Sequence, residues 1–488
     1  MTAFAFTVNF VFGAGVLSIP YSVAHAGIVG SCVFMVFTAF LSAMSMIWIV
    51  EALGRAEALL RNQEEMELAS PTLERFSLRA ENQGPGAFRI SRRRLEVNEL
   101  TTLFLGNFMG NFYSVCVTLY CICSMWFYGV IFSLSLTQTM PLSFFPSTYI
   151  PGKWHEGSTC DFSNDLGSVG AECRGTYTFY LGVFLIVTMI AACFDLAEQK
   201  KLQSFFTILA MSSIVCMLIT LLVSMSLHPY EGEGGSSNHS LFDEAKYAPG
   251  YQPVPLWIDW GGFSVAYMNF VFAFLAHTGV PGLVQLLKDK SQAPKVFMGA
   301  MGTACTVYMA LGAVAAYYFG SNPHYGIQKL VTLNWRNYNG DDSPADTGSA
   351  LTIFISYMVR MYPVISVTSA FTLYADTVAA SVRAAMCPRF GPKNIKILWR
   401  WVFIVISIFG AAMKSDISVI ITVCGLLGII LVMVVPSLLQ IYSKKQCNEE
   451  FGRSRTPFSW HFSNNAYVYG MVIFGFLSGV YCIYYIKL

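Results

Sequence analysis

Charge is scarce in this 488-residue chain: Asp, Glu, Lys and Arg make up 12% of it, against 55% hydrophobic and 15% aromatic residues. That scarcity excludes an ordinary soluble protein and leaves a polytopic membrane protein. The net charge of +2 is too small to indicate nucleic acid or an acidic partner. No Lys or Arg precedes Arg55, so the first apolar segment lacks the basic flank of a secretory leader. It also lacks a small-residue cleavage site and is expected to be retained. HExxH, GxSxG and the phosphate-binding GxxxxGK[ST] loop are missing, and no span carries a clustered acid pair, which argues against an enzyme. The repeated pore loop or ring-forming acidic motif of ion channels is missing as well.

What the chain has instead is apolar runs long enough to span, at about twenty residues each. They fall at 3–26, 28–53, 107–136, 177–195, 202–227, 261–287, 296–320, 348–376, 398–413, 416–442 and 466–486. The expectation is an all-α protein of eleven transmembrane helices forming one domain over 1–488. With a cytosolic amino terminus, twenty-two of the thirty Lys and Arg residues face the cytosol and seven face outward, while Arg360 lies within a span. This bias supports the orientation. It makes 54–100 a cytosolic loop and 137–176, 228–260 and 321–347 exoplasmic loops, with the carboxyl terminus outside. The sequon Asn238-His239-Ser240 then falls outside, where Asn238 is a glycosylation candidate. Cys160 and Cys173 share an exoplasmic loop and are a candidate disulfide, whereas the other eleven cysteines read as small apolar fillers. Within 54–100, Arg92-Arg93-Arg94 reads as a topological anchor or a contact with anionic lipid, and 96–105 as a short amphipathic lead-in to the third span.

The first span is interrupted by Gly13-Ala14-Gly15. The stretches 3–12 and 16–26 are about ten residues each and rise about 15 Å, half of a roughly 30 Å hydrocarbon core, so the break falls near the midplane. Glycine weakens the helix there and lets a ligand approach the backbone. Backbone groups left open at that depth must be satisfied by protein, water or ligand. The two half-helix ends carry opposite partial charges, which suits an α-amino acid with both a carboxylate and an ammonium. The alternative is that these small residues let two helices pack closely.

The sixth span holds a second interruption, Ala273-Phe274-Leu275-Ala276-His277-Thr278-Gly279-Val280-Pro281-Gly282, where glycine, proline and a polar pair break an apolar helix. Broken helices one and six, five apart, are the pattern of inverted-repeat transporters, whose broken helices meet at the substrate. No repeat is visible residue by residue.

Asn9-Phe-Val-Phe-Gly13-Ala-Gly15-Val-Leu17-Ser-Ile-Pro20-Tyr21 resembles the first-helix signature of the amino acid/auxin permease superfamily, which includes the sodium-coupled neutral amino acid transporters. His277-Thr-Gly-Val-Pro281 resembles its sixth-helix motif, Met361-Tyr362-Pro363-Val364 its eighth-helix proline motif, and 416–436 its tenth helix. More narrowly, Val50-Glu51-Ala52, Cys193-Phe194-Asp195-Leu196 and Lys201-Leu202-Gln203 resemble the transmembrane protein 104 family. The resemblance implies a LeuT-like arrangement, two inverted five-helix repeats plus one helix, and amino acid transport by alternating access. It implies a cation ligand at Asn9, although an interhelical hydrogen bond explains that residue equally. Sodium-binding relatives carry hydroxyl residues shortly before the eighth-helix proline, where this chain has Val359, Arg360 and Met361.

The expected substrate residues are Gly13, Ala14, Gly15, Val16, Phe274, His277, Thr278 and Tyr362, with Ser366 and Ser369 beside them. Asn9, His277 and Arg360 are the candidates for ion coupling. Arg360 is costly at mid-span, at about 2.5–3.5 kcal/mol, and has three readings: it counters a substrate carboxylate, pairs with a buried acid such as Glu51, or snorkels to the interface. His277 either relays a proton or caps opened backbone of the sixth helix. The leading function is a secondary transporter of neutral amino acids driven by a proton or sodium gradient. The alternative is a sensor that binds but does not transport; a long amino-terminal tail would favour it. No resident cofactor, metal other than a sodium at Asn9, or nucleic acid is expected. The partners are the amino acid and the bilayer, of plasma or endolysosomal membrane, around a monomer.

Overall fold

The computed structural model describes residues 4, 7–8, 11–13, 15–68, 88–90, 95–140, 142, 171–194, 200–227, 254–320, 327–338, 350–386, 393–413 and 417–485, and among these it is helical without a strand. Asn9, Ala14, Cys160 and Asn238 lie outside the described residues, as do the side chains of Cys173 and Ser369.

In the first span Val11 and Phe12 are helical, Gly13 is a turn, and helix α1 (Gly15–Ala26) follows. Then come α2 (Ile28–Leu68), the amphipathic α3 (Val97–Leu105), α4 (Asn107–Thr139), α5 (Ala171–Ala191) and α6 (Lys200–Leu227). The sixth span divides into α7 (Trp260–Ala273), a 3-10 turn (His277–Gly279) and α8 (Val280–Gln285). Beyond it lie α9 (Ala293–Phe319), α10 (Ala350–Met386) and α11 (Lys393–Met413). The last spans are α12 (Ile417–Ile429), running through a π segment (Ile430–Val434) into α13 (Val435–Phe451), and α14 (Asn465–Tyr485). Pro436 has no N–H and its ring crowds the carbonyl four residues back; the wider π turn before it opens the ladder at that point.

Nine helical stretches among the described residues are long and apolar enough to cross a membrane. The remaining two sequence spans correspond to the twelve residues of α1 and to the shorter apolar stretch Ile397–Met413. Two boundaries differ from expectation. The α2 helix does not end at residue 53 but continues to Leu68, because Glu51 and Arg55 neutralise each other inside the protein and hydropathy alone counts them as an exit. The α5 helix starts at Ala171, so Cys173 sits in its first turn and not in a loop.

The sixth span is the most deeply buried of the nine and α14 the least. The α7 segment packs against α1, α2, α12 and α14, while α9 covers α1 and α2, and α10 lies along α4. At one end of this core, α1 turns directly into α2 through Gly27 at φ +94°. The exposed N–H groups of Ile28, Val29 and Gly30 would have no partner within their own helix. They donate to the carbonyls of Pro255, Leu256 and Trp257 at 3.0, 2.9 and 3.3 Å, and Asp259 N donates back to Ala26 O at 2.9 Å. A Cβ on Gly27 would overlap the Trp257 carbonyl as well as strain the backbone. Gly27→Ala is therefore expected to destabilise the protein by roughly 2–4 kcal/mol. A melting temperature equal to wild type in detergent would refute this clasp.

Candidate functional site

The two breaks meet. Gly15, the first residue of α1, faces the end of α7 so closely that a Cβ on it would lie 2.7 Å from Ala273 Cβ and 2.8 Å from its Cα. Close packing, the alternative reading of the small residues, is therefore what Gly15 does. Two hydrogen bonds lock the two helices below this contact, Ser18 Oγ to Asn269 Oδ1 at 3.0 Å and Asn269 Nδ2 to Ser22 Oγ at 2.7 Å, while Ser18 Oγ also lies 3.3 Å from Gly15 O within α1.

Opened carbonyls at both breaks are satisfied from neighbouring helices, as the membrane interior demands. Tyr308 of α9 donates to Val11 O at 2.6 Å, and Ser366 of α10 donates to Gly13 O at 3.3 Å. At the sixth-span break, Ser42 of α2 donates to Phe274 O at 2.7 Å. The Tyr308 ring lies 5.3 Å from that of Phe274 and 5.7 Å from that of Phe12, so one tyrosine bridges the two interruptions. Val16, Phe274 and Tyr308 are all buried.

His277 is 1% exposed and faces α2, with Nε2 at 2.6 Å from Ser45 Oγ and 3.2 Å from Ser42 O. The expectation that it caps opened backbone of the sixth helix is corrected: Ser42 does that, because its hydroxyl reaches Phe274 O from the facing helix. A neutral imidazole with its proton on Nε2 serves both contacts and leaves Nδ1 a bare acceptor, which has no partner among the described residues. Thr278 Oγ1 and Tyr362 Oη are likewise buried without a hydrogen bond of ordinary geometry, the latter beside Ser366 and hence beside Gly13. Seventeen buried side-chain polar atoms lack a hydrogen bond among the described residues, and three of them fall on residues expected to bind substrate.

Arg360 is 8% exposed; its guanidinium lies 4.7 Å from the centre of the Tyr357 ring, and its Nε donates to Ser356 O at 3.4 Å. Its pairing with Glu51 is overturned. The Glu51 carboxylate accepts from Arg55 Nη2 at 2.6 Å, Gln440 Nε2 at 3.0 Å, Ser459 Oγ at 3.1 Å and Ser463 Oγ. Arg55 in turn donates to Gln440 Oε1 at 2.7 Å, Ser443 Oγ at 3.0 Å and Ser454 O at 3.0 Å. The four-residue spacing of Glu51 and Arg55 was the sequence signal for this pair. Tyr308, Ser42 and Asn269 carried none, since their partners lie more than two hundred residues away.

No group of three or more His, Cys, Asp or Glu side chains able to hold a metal occurs among the described residues. The stretch before Pro363 offers no side-chain oxygen from Val359, Arg360 or Met361, and one of these is a cation.

A helical membrane protein whose centre is two abutting helix breaks has the build of a carrier. Over residues 1–486 the chain matches the family described as transmembrane amino acid transporter protein, and it belongs to that family. Among relatives, it is 22% identical over 508 residues to the transmembrane protein 104 homolog of Drosophila melanogaster, covering 94% of this chain and 92% of the relative. The Caenorhabditis elegans homolog is 22% identical, with 80% and 70% covered, and human transmembrane protein 104 is 20% identical, with 76% and 71% covered.

Proposed function

We propose that this chain is a secondary transporter of neutral amino acids that works by alternating access, with eleven helices in a LeuT-like arrangement. The observation that carries the reading is the pairing of the two breaks, with Tyr362 Oη unsatisfied against the first and His277 Nδ1 and Thr278 Oγ1 unsatisfied at the second. An amino acid supplies what these atoms lack. Its ammonium donates to a bare acceptor such as His277 Nδ1, and its carboxylate accepts from the Tyr362 and Thr278 hydroxyls and from N–H groups at the start of α1. Val16 and Phe274 form the apolar wall expected for a neutral side chain.

For coupling, a proton on Nδ1 is the alternative occupant of the same acceptor. Proton and substrate at one nitrogen give a direct link between the two. Arg360 and Asn9 remain the other coupling residues in this proposal, Asn9 as the ligand of a sodium ion. The orientation has the amino terminus in the cytosol of a plasma or endolysosomal membrane, Asn238 glycosylated and Cys160 joined to Cys173 outside.

The test is uptake of a mixed labelled amino acid pool into proteoliposomes under an imposed proton or sodium gradient. Gradient-dependent accumulation is expected, reduced about tenfold by Tyr362→Phe for loss of one hydrogen bond to a charged group. Saturable binding without any uptake would replace transport by sensing. His277→Ala is expected to flatten the dependence of uptake on pH; an unaltered profile removes it from coupling.

A further inference from the structure

Away from the helix breaks, a cavity of about 470 Å³ opens between α2, α13 and the connection from α13 to α14. Arg55, Lys444, Arg455 and His461 line it together with Ser459 and Ser463, and no acidic side chain does. The charge of Arg55 is met by Glu51 behind the wall. Lys444 Nζ donates to neutral acceptors, the Ser463 carbonyl and Asn465 Oδ1 at 3.1 Å, and lies within the fields of both Glu51, which attracts it, and Arg55, which repels it. Arg455 is exposed and makes no hydrogen bond or ion pair among the described residues. Two cations of different geometry, neither in an ion pair among the described residues, thus line one open cavity together with serines. Trp460 stands at its rim, 40% exposed, its ring 5.0 Å from that of Phe462, in the manner of an aromatic residue at headgroup depth.

We infer that this cavity binds a phosphorylated polyol anion at the cytosolic membrane surface, an inositol phosphate presented as a lipid headgroup or free in solution. The planar fork of Arg455 matches two oxygens of one phosphate, while Lys444 acts as a point charge for a second. Ser463 Oγ gives its proton to Glu51 and keeps a lone pair to which a ring hydroxyl can donate. The volume lies within the range of small-molecule sites, and a basic pocket between spanning helices on the cytosolic side is where anionic headgroups bind. The inference rests on the cytosolic orientation of this end of the protein and is independent of amino acid transport.

The test uses the full chain in phosphatidylcholine nanodiscs, titrated with fluorescent short-chain phosphatidylinositol bisphosphate and, separately, with soluble inositol trisphosphate as competitor. Saturable binding is expected, weakened about tenfold by Arg455→Gln, the loss of a charge-assisted contact. Because Arg455 makes no hydrogen bond or ion pair among the described residues, the melting temperature of this variant should match wild type. Lys444→Gln should weaken binding in the same direction. If the soluble headgroup competes as tightly as the lipid binds, the ligand comes from solution; if the lipid binds at least tenfold tighter, it comes from the membrane. Absence of saturable binding, equal affinity for phosphatidylserine, or an Arg455→Gln variant that binds like wild type would each overturn the site.

Discussion

Arg55→Ala is expected to abolish recovery of folded protein. Both members of the Glu51–Arg55 pair are fully buried, and the arginine ties α2 to α13 through Gln440 and Ser443 and to the following connection through Ser454 O. Removing it strands a carboxylate away from water with only neutral donors. Breaking a buried pair on one side costs about 3–5 kcal/mol, a large fraction of a total stability of about 5–15 kcal/mol. The double variant Glu51→Leu/Arg55→Met removes both charges together and is expected to be recovered better than Arg55→Ala, although Gln440 and the serines lose partners. Size-exclusion chromatography of the detergent-solubilised fluorescent fusion reads both variants against wild type. A monodisperse Arg55→Ala peak at wild-type yield would show that the pair does not hold these helices.

The second large effect is at the first break. Gly15→Leu is expected to eliminate uptake, and Gly15→Ala to reduce it severely, because the first carbon of any side chain falls against both Cβ and Cα of Ala273. Overpacking of a tight contact costs about 1–3 kcal/mol, and here the strain pushes apart the two helices that bring the breaks together. Ala273→Gly in the Gly15→Ala background removes the nearer atom but leaves the Cα at 2.8 Å, so recovery should be partial. Gly13→Leu tests the other side of the turn, where Gly13 O meets Ser366, and is expected to eliminate substrate binding while the protein still inserts. Wild-type uptake by both leucine variants would remove this region from the substrate path.

Both breaks were legible in the sequence because glycine and proline inside an apolar run act locally, within a turn of where they stand. The short helix Val97–Leu105 was legible for a similar reason, with Glu99 accepting from Glu96 N at 2.9 Å at its start. What the sequence hid was pairing across distance. Arg55 read as the beginning of a loop because a charge on its own marks an exit from the membrane, and only its neutralisation by Glu51, with a hydrogen bond to Gln440, makes it part of the interior. Gly15 read as room for a ligand because a missing side chain does not say what fills the space; Ala273 fills it. Tyr308 had no motif around it, and its role depends on Val11 lying opposite.

The clasp at Gly27 has a mechanical corollary. Backbone bonds fix the 255–259 segment to the junction of α1 and α2, and the Ser18–Asn269–Ser22 bonds fasten α1 to α7 along their length. These pieces of the two interrupted helices therefore form a single stiff lever. A rearrangement that bares the break to one side and then the other must either swing that lever whole or leave it standing and flex the segments beyond the breaks, around Val11 and Phe12 and in α8. Tyr308 joins the first of these segments to α9 through Val11 O, so that tyrosine is where a hinge would be felt.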